Sequence, residues 1–148
     1  IIALLDEESN FKENTIKFLD LEVKCGNKNK AEASITLVIL DKERSAVSSG
    51  QGPIDAIFNS IKKLIPNESQ LILYQVNAIT KGIDAQAEVS VRLEESGITV
   101  LGQGKDIDTM VASAKSYVNA LNKLINKRDK FLSTNLKRGN ETFDKHAI

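Results

Sequence analysis

Histidine and cysteine are nearly missing from this chain, which has one of each, His146 and Cys25. The shortage leaves no His/Cys metal cluster at ligand spacing, no Ser-His or Cys-His nucleophilic pair in the body of the chain, and no intrachain disulfide. Cys25 reads as a small strand residue, compatible with a reducing compartment. A surplus of charge is missing too: 20 basic and 20 acidic residues set up no global field toward nucleic acid or an anionic membrane. No apolar run approaches the roughly 20 residues that span a bilayer. Ile1–Leu5 lacks the basic flank of a secretory signal, so a cytoplasmic location is expected. Converging catalytic groups are scarce. Glu94-Glu95-Ser96-Gly97 reads as a hairpin turn and Glu88 as an outward strand residue. Gly50-Gln51-Gly52 is not a dinucleotide fingerprint, because Asp55 stands where the third glycine belongs, nor a phosphate loop, because no Lys-Ser/Thr follows. The chain reads as one that binds or assembles, without catalytic residues, metal or cofactor of its own.

What is present is a core and a repeat. With 41% hydrophobic residues in 148, the chain can build one domain, or two small halves around a shared core. Its organising stretch is Ser49–Asp55, where a β-leaning segment meets two glycines and Pro53 opens an apolar-periodic run. Upstream, alternation from Phe18 predicts a first strand, Cys25–Lys30 a turn, Ala33–Leu40 a second strand, Asp41–Arg44 a turn and Ser45–Ser49 a third strand. Downstream, Ile54, Ile57, Phe58, Ile61, Leu64 and Ile65 form one helical stripe, stopped by Pro66-Asn67. The same order follows in Leu71–Ile79, Ala85–Leu93, Ile98–Leu101 and a helix from about Asp106 to Asn126, with Gly102-Gln103-Gly104 as a second glycine turn. A shift of 52 residues superposes the copies without a gap, pairing Leu19 with Leu71 and Ala33 with Ala85.

The expected fold is therefore α+β, two pseudo-symmetric β-β-β-α units with sheets packed on helices. Residues 1–14 read as a linker from a preceding region, 15–126 as the domain (units 15–66 and 67–126), and 127–148 as a flexible polar tail. The tail is basic, with Lys127, Arg128, Lys130, Lys137 and Arg138. A solvated helix end accounts for it better than contact with nucleic acid.

A helix beginning at Pro53 aims N–H donors and the positive end of its dipole at whatever lies in front, which suits a carboxylate or phosphate. An ordinary strand-to-helix turn, with glycines serving only positive φ, is the plainer alternative. At the second turn Asp106 and Asp108 suit the dipole and repel an anion, so the two turns need not share a role.

Gly50–Ala56, Leu73-Tyr74-Gln75-Val76-Asn77-Ala78-Ile79, Gly82–Val89 and Gly102-Gln103-Gly104, in this order, carry a resemblance. Residues 16–126 resemble the C-terminal regulatory domain of the 2-isopropylmalate and citramalate synthases. The resemblance implies a homodimer of paired β-β-β-α units that binds a branched-chain amino acid and inhibits a separate N-terminal catalytic domain, an acetyl-CoA-dependent acyltransferase. Leucine is the effector implied for isopropylmalate synthase and isoleucine for citramalate synthase; a dimerisation module with no effector is the third reading. Carried over residue by residue, the pocket comprises Gln51, Gly52, Ile54 and Asp55 at the helix start, Leu71, Tyr74 and Ala78 on the next strand, and Ala85 and Ala87 after the Gly82 turn. Those residues fit the chemistry: donors for an α-carboxylate, Asp55 or carbonyls for an ammonium, and alanines that leave room for a branched side chain.

Overall fold

The computed structural model describes residues 15–25, 30–79 and 86–147, with side chains as far as Arg128 apart from that of Ile79. Strands β1 (Ile16–Lys24), β2 (Ala31–Ile39) and β3 (Lys42–Gly50) precede helix α1 (Pro53–Leu64). Strands β4 (Gln70–Ile79), β5 (Gln86–Glu95) and β6 (Ile98–Asp106) precede helix α2 (Thr109–Ala147). The order β-β-β-α twice is the expected one. The two sheets, β1-β2-β3 and β4-β5-β6, are antiparallel throughout. The linker 1–14, the Gly82 turn and Ala85 lie outside the described residues.

Alternation sets the inner face of each sheet. Ala31, Ala33, Ile35 and Leu37 of β2 are buried, as are Val89, Val91 and Leu93 of β5. Complete burial of an Ile or Leu such as Ile35 or Leu93 contributes about 1.5–3 kcal/mol. The β2–β3 turn departs from the expectation. It is the two-residue loop Leu40-Asp41, both residues at positive φ, with Ile39 opposite Lys42. Such a loop matches the strand twist, so Lys42, Glu43 and Arg44 pair into β3 instead of turning. The β5–β6 turn, Ser96-Gly97, falls where it was expected, again with both φ positive.

Gly102-Gln103-Gly104 is not a turn, since β6 runs straight through it. A Cβ on Gly102 would stand 2.3 Å from the Ser116 carbonyl oxygen, and one on Gly104 2.5 Å from that of Ala112. The facing side of α2 is small at successive turns, Ala112, Ser116 and Ala120. Both glycines exist so that helix backbone can lie directly on strand backbone. Gly50 does the same for α1, with the Ala56 nitrogen 2.5 Å from its notional Cβ.

The start and end of α2 also differ from the expectation. Asp108 accepts a hydrogen bond from the Met110 amide at 2.9 Å, so the helix opens at Thr109 rather than Asp106. It continues to Ala147, through the segment read as a polar tail, with no proline to interrupt it. Three of the basic residues at this end are engaged in the fold. Lys123 and Lys127 donate to the Leu101 and Thr99 carbonyls, and Arg128 pairs with Glu95.

Both helices touch both sheets. α1 lies on β2 and β3, α2 lies on β5 and β6 and reaches β1. Phe58 of α1 stacks on Tyr117 of α2 at 4.5 Å and meets Tyr74 of β4 edge-on at 6.1 Å. Tyr117 is absent from the expected helical stripe because α2, flanked by two sheets, is buried over more than one face.

Candidate functional site

The two helix starts differ. At α1, Gly52 is the N-cap residue and no side chain caps it. Pro53 has no N–H, which leaves the Ile54 and Asp55 amides as the donors of the first turn. A Cβ on Gly52 would meet nothing within 4 Å, and its φ of −145° is extended, so its lack of a side chain serves open space rather than a left-handed turn. Gln51 and Asp55 are exposed, Gly52 and Ile54 half-buried. One Asp55 oxygen accepts from the Gln51 amide at 3.1 Å and ties the turn to the helix.

At α2 the amide that corresponds to that of Ile54 is already taken. Asp108 takes the Met110 amide, and Asp106 takes the Asp108 amide at 3.0 Å while pairing with Lys115 at 3.0 Å. The Asp108 amide first, and then Lys115, hold the Asp106 carboxyl below the ordinary aspartate range. Two carboxylates at this end disfavour an anion.

The strand residues of the predicted site share one face. Leu71 stands opposite Leu93, Tyr74 opposite Val91 and Ala78 opposite Ala87, in the row whose β5 members Val91 and Leu93 are buried beneath the helices. The Ser113 hydroxyl donates to the Thr109 carbonyl at 2.8 Å, so Tyr74 is the donor in its 2.6 Å bond to Ser113. The structure thus joins Tyr74 to α2 through Ser113 and to α1 through Phe58, four residues past Ile54. Phe58 and Ser113 were not among the predicted site residues, and neither was Val76. Val76 lies between Tyr74 and Ala78 on the same row, opposite buried Val89, yet is 43% exposed. Strict alternation along β4 was the signal for it. Among the described residues no group of His, Cys, Asp and Glu is arranged to hold a metal ion, and no helix is long and apolar enough to cross a membrane.

A family described as the LeuA allosteric (dimerisation) domain matches residues 1–125. The chain belongs to that family. Curated proteins similar to the chain are named 2-isopropylmalate synthase. The protein of that name from Nitrobacter winogradskyi is 46% identical over 130 residues, 88% of this chain and 25% of the relative. One from a Bradyrhizobium species is 48% identical over the same coverage, and one from a Caulobacter species 45%. The LeuA-family chain therefore spans about a quarter of the length of the curated relatives it matches.

Proposed function

We propose that this chain is the effector-binding, dimer-forming regulatory part of a 2-isopropylmalate synthase, and that its ligand is a branched-chain amino acid, leucine first. The observation that carries the reading is the uncapped α1 start, open above Gly52, in a domain whose other helix start is filled by its own carboxylates. The Ile54 and Asp55 amides and the helix dipole suit an α-carboxylate. The free Asp55 oxygen suits an α-ammonium, and the half-open row of Leu71, Tyr74, Val76, Ala78 and Ala87 suits a branched apolar side chain. The names of the relatives favour leucine over isoleucine. Feedback on a separate catalytic part follows if leucine binds one arrangement of the dimer better than another.

Calorimetric titration with leucine, isoleucine and valine tests this. Leucine is expected to bind most tightly, its isomers losing about 1–3 kcal/mol. At 100 times its Kd leucine should raise stability by about 2.7 kcal/mol. Ala87→Phe, which fills the row opposite Ala78, should weaken leucine binding by about 100-fold or more, on the order of 3 kcal/mol. Heat from none of the three amino acids would overturn the reading.

A further inference from the structure

Each three-stranded sheet has two edges, and an edge strand presents unpaired backbone groups that proteins guard with charge, proline or covering side chains. Three of the four edges here are guarded. Along β3, Asn59 donates to the Ser49 carbonyl at 3.2 Å and Lys63 to that of Val47 at 2.8 Å. Along β6, Asn119 accepts from the Gln103 amide, while Lys123 and Lys127 donate to Leu101 and Thr99. At β1, Asn122 holds both backbone groups of Ile16, and the strand carries Lys17, Asp20, Glu22 and Lys24. The fourth edge is β4, Gln70–Ile79. Its ten residues include no charge and no proline, and among the described residues no side chain bonds to its backbone.

Apolar exposure on β4 has an unusual distribution. Leu71 (46% exposed) and Val76 (43%) lie on the helix-facing row. Leu73 (36%) lies on the opposite face, across from Arg92, and Ile72 (49%) is the extra residue at the irregularity between Leu71 and Leu73. A surface docked onto one face of the sheet would cover only half of these. A strand laid alongside β4 covers both faces and pairs the free backbone groups as well.

We propose that β4 is the joint between two copies of this chain, β4 pairing antiparallel with its twin across a two-fold axis to make one continuous six-stranded sheet. An identical strand is the occupant because an uncharged, proline-free edge is self-complementary under a two-fold, whereas the charged edges are not. The inference builds on the dimer in the function proposed above and locates it. It also puts Tyr74 and Ala78 of both copies beside the axis, so that an effector held there would sense the partner.

Two measurements on the full 148-residue chain test it, both in a Cys25→Ser background. First, single cysteines replace Leu73, Gln75 or Asn77 on the outward row of β4, with Ser45 on β3 and Thr99 on β6 as controls. At least one β4 cysteine should form an interchain disulfide in more than half of the chains under mild oxidation, and the controls in fewer than a tenth. Second, Ile72→Lys with Leu73→Lys should raise the dimer dissociation constant at least 100-fold by light scattering, with an unchanged circular dichroism spectrum confirming the fold. A wild-type chain that stays monomeric at millimolar concentration overturns the proposal. So does a dimer that gives no β4 disulfide, whether a face or residues 1–14 take the edge instead. Leucine titration of the same samples is read separately: a β4 dimer that ignores leucine overturns the effector reading alone, and leucine binding by a chain that never dimerises overturns the joint, and the dimer with it, while the effector reading stands.

Discussion

Asn122 grips Ile16 by both backbone groups. The Ile16 amide donates to the Asn122 carbonyl oxygen at 2.9 Å and the Asn122 amide donates to the Ile16 carbonyl at 2.8 Å, with both residues buried. A side chain of the second unit thereby completes the first strand of the first. Asn122→Ala leaves two buried backbone groups unpaired and should lower stability by about 3 kcal/mol. Urea unfolding would show this as a lower midpoint with an unchanged slope. A loss below about 0.5 kcal/mol would mean that water replaces the amide.

Gly104→Ala should cost about 2–3 kcal/mol, because the new methyl would stand 2.5 Å from the Ala112 oxygen and 2.6 Å from the Ser116 nitrogen, both backbone atoms that move only if α2 moves. Gly52→Ala is the control. Its φ of −145° suits alanine and the methyl meets nothing, so stability should change by less than about 1 kcal/mol. Thermal unfolding of the two variants side by side separates a glycine kept for packing from one kept for access.

Leu40 is 71% exposed and sits at φ 50°, beside Asp41 at φ 65°. A left-handed conformation strains leucine and suits asparagine or glycine. Leu40→Asn combined with Asp41→Gly should raise stability by about 1 kcal/mol, measured by chemical denaturation.

Tyr117 places its hydroxyl in the core without a hydrogen-bond partner among the described residues. Asn67 and Ser69 face it but are bonded to each other. Burial raises the phenol pKa, against a smaller opposing influence from Asn67 and Ser69. The folded chain therefore keeps this proton to higher pH than the unfolded chain does. The resulting stabilisation is complete below about pH 10 and is lost as pH rises through the folded value. Tyr117→Phe keeps the stacking on Phe58, so it should change stability at neutral pH by no more than about 1 kcal/mol and flatten the alkaline limb of the stability profile.

The two-unit order and the start of α1 at Pro53 were legible in the chain because each rests on local pattern: period two, period 3.6, proline at the first helical position. The gapless shift of 52 residues does not hold: Pro53 and Thr109 open the two helices 56 residues apart, and the turns Leu40-Asp41 and Ser96-Gly97 are 56 apart as well. Leu40-Asp41 was not legible as a turn, since leucine gives no local signal for positive φ. Gly102 and Gly104 were misread for a related reason. Glycine marks both a bend and a close approach, and only the small residues Ala112, Ser116 and Ala120, distant in sequence, tell which. Matched positions sufficed to put Leu71, Tyr74 and Ala78 on one strand. Phe58 and Ser113 were not visible in this way, because what brings them to Tyr74 is the packing of both helices against both sheets.

The two units pass from strand to helix over equal lengths, two residues after Gly50 in the first and two after Asp106 in the second. What differs is the chemistry at the two starts: Gly52 has no side-chain cap, while Asp106 and Asp108 sit on the amides of the second start. Stoichiometry follows from it: saturation should need one amino acid per polypeptide rather than two, half of what a faithful gene duplication would have supplied.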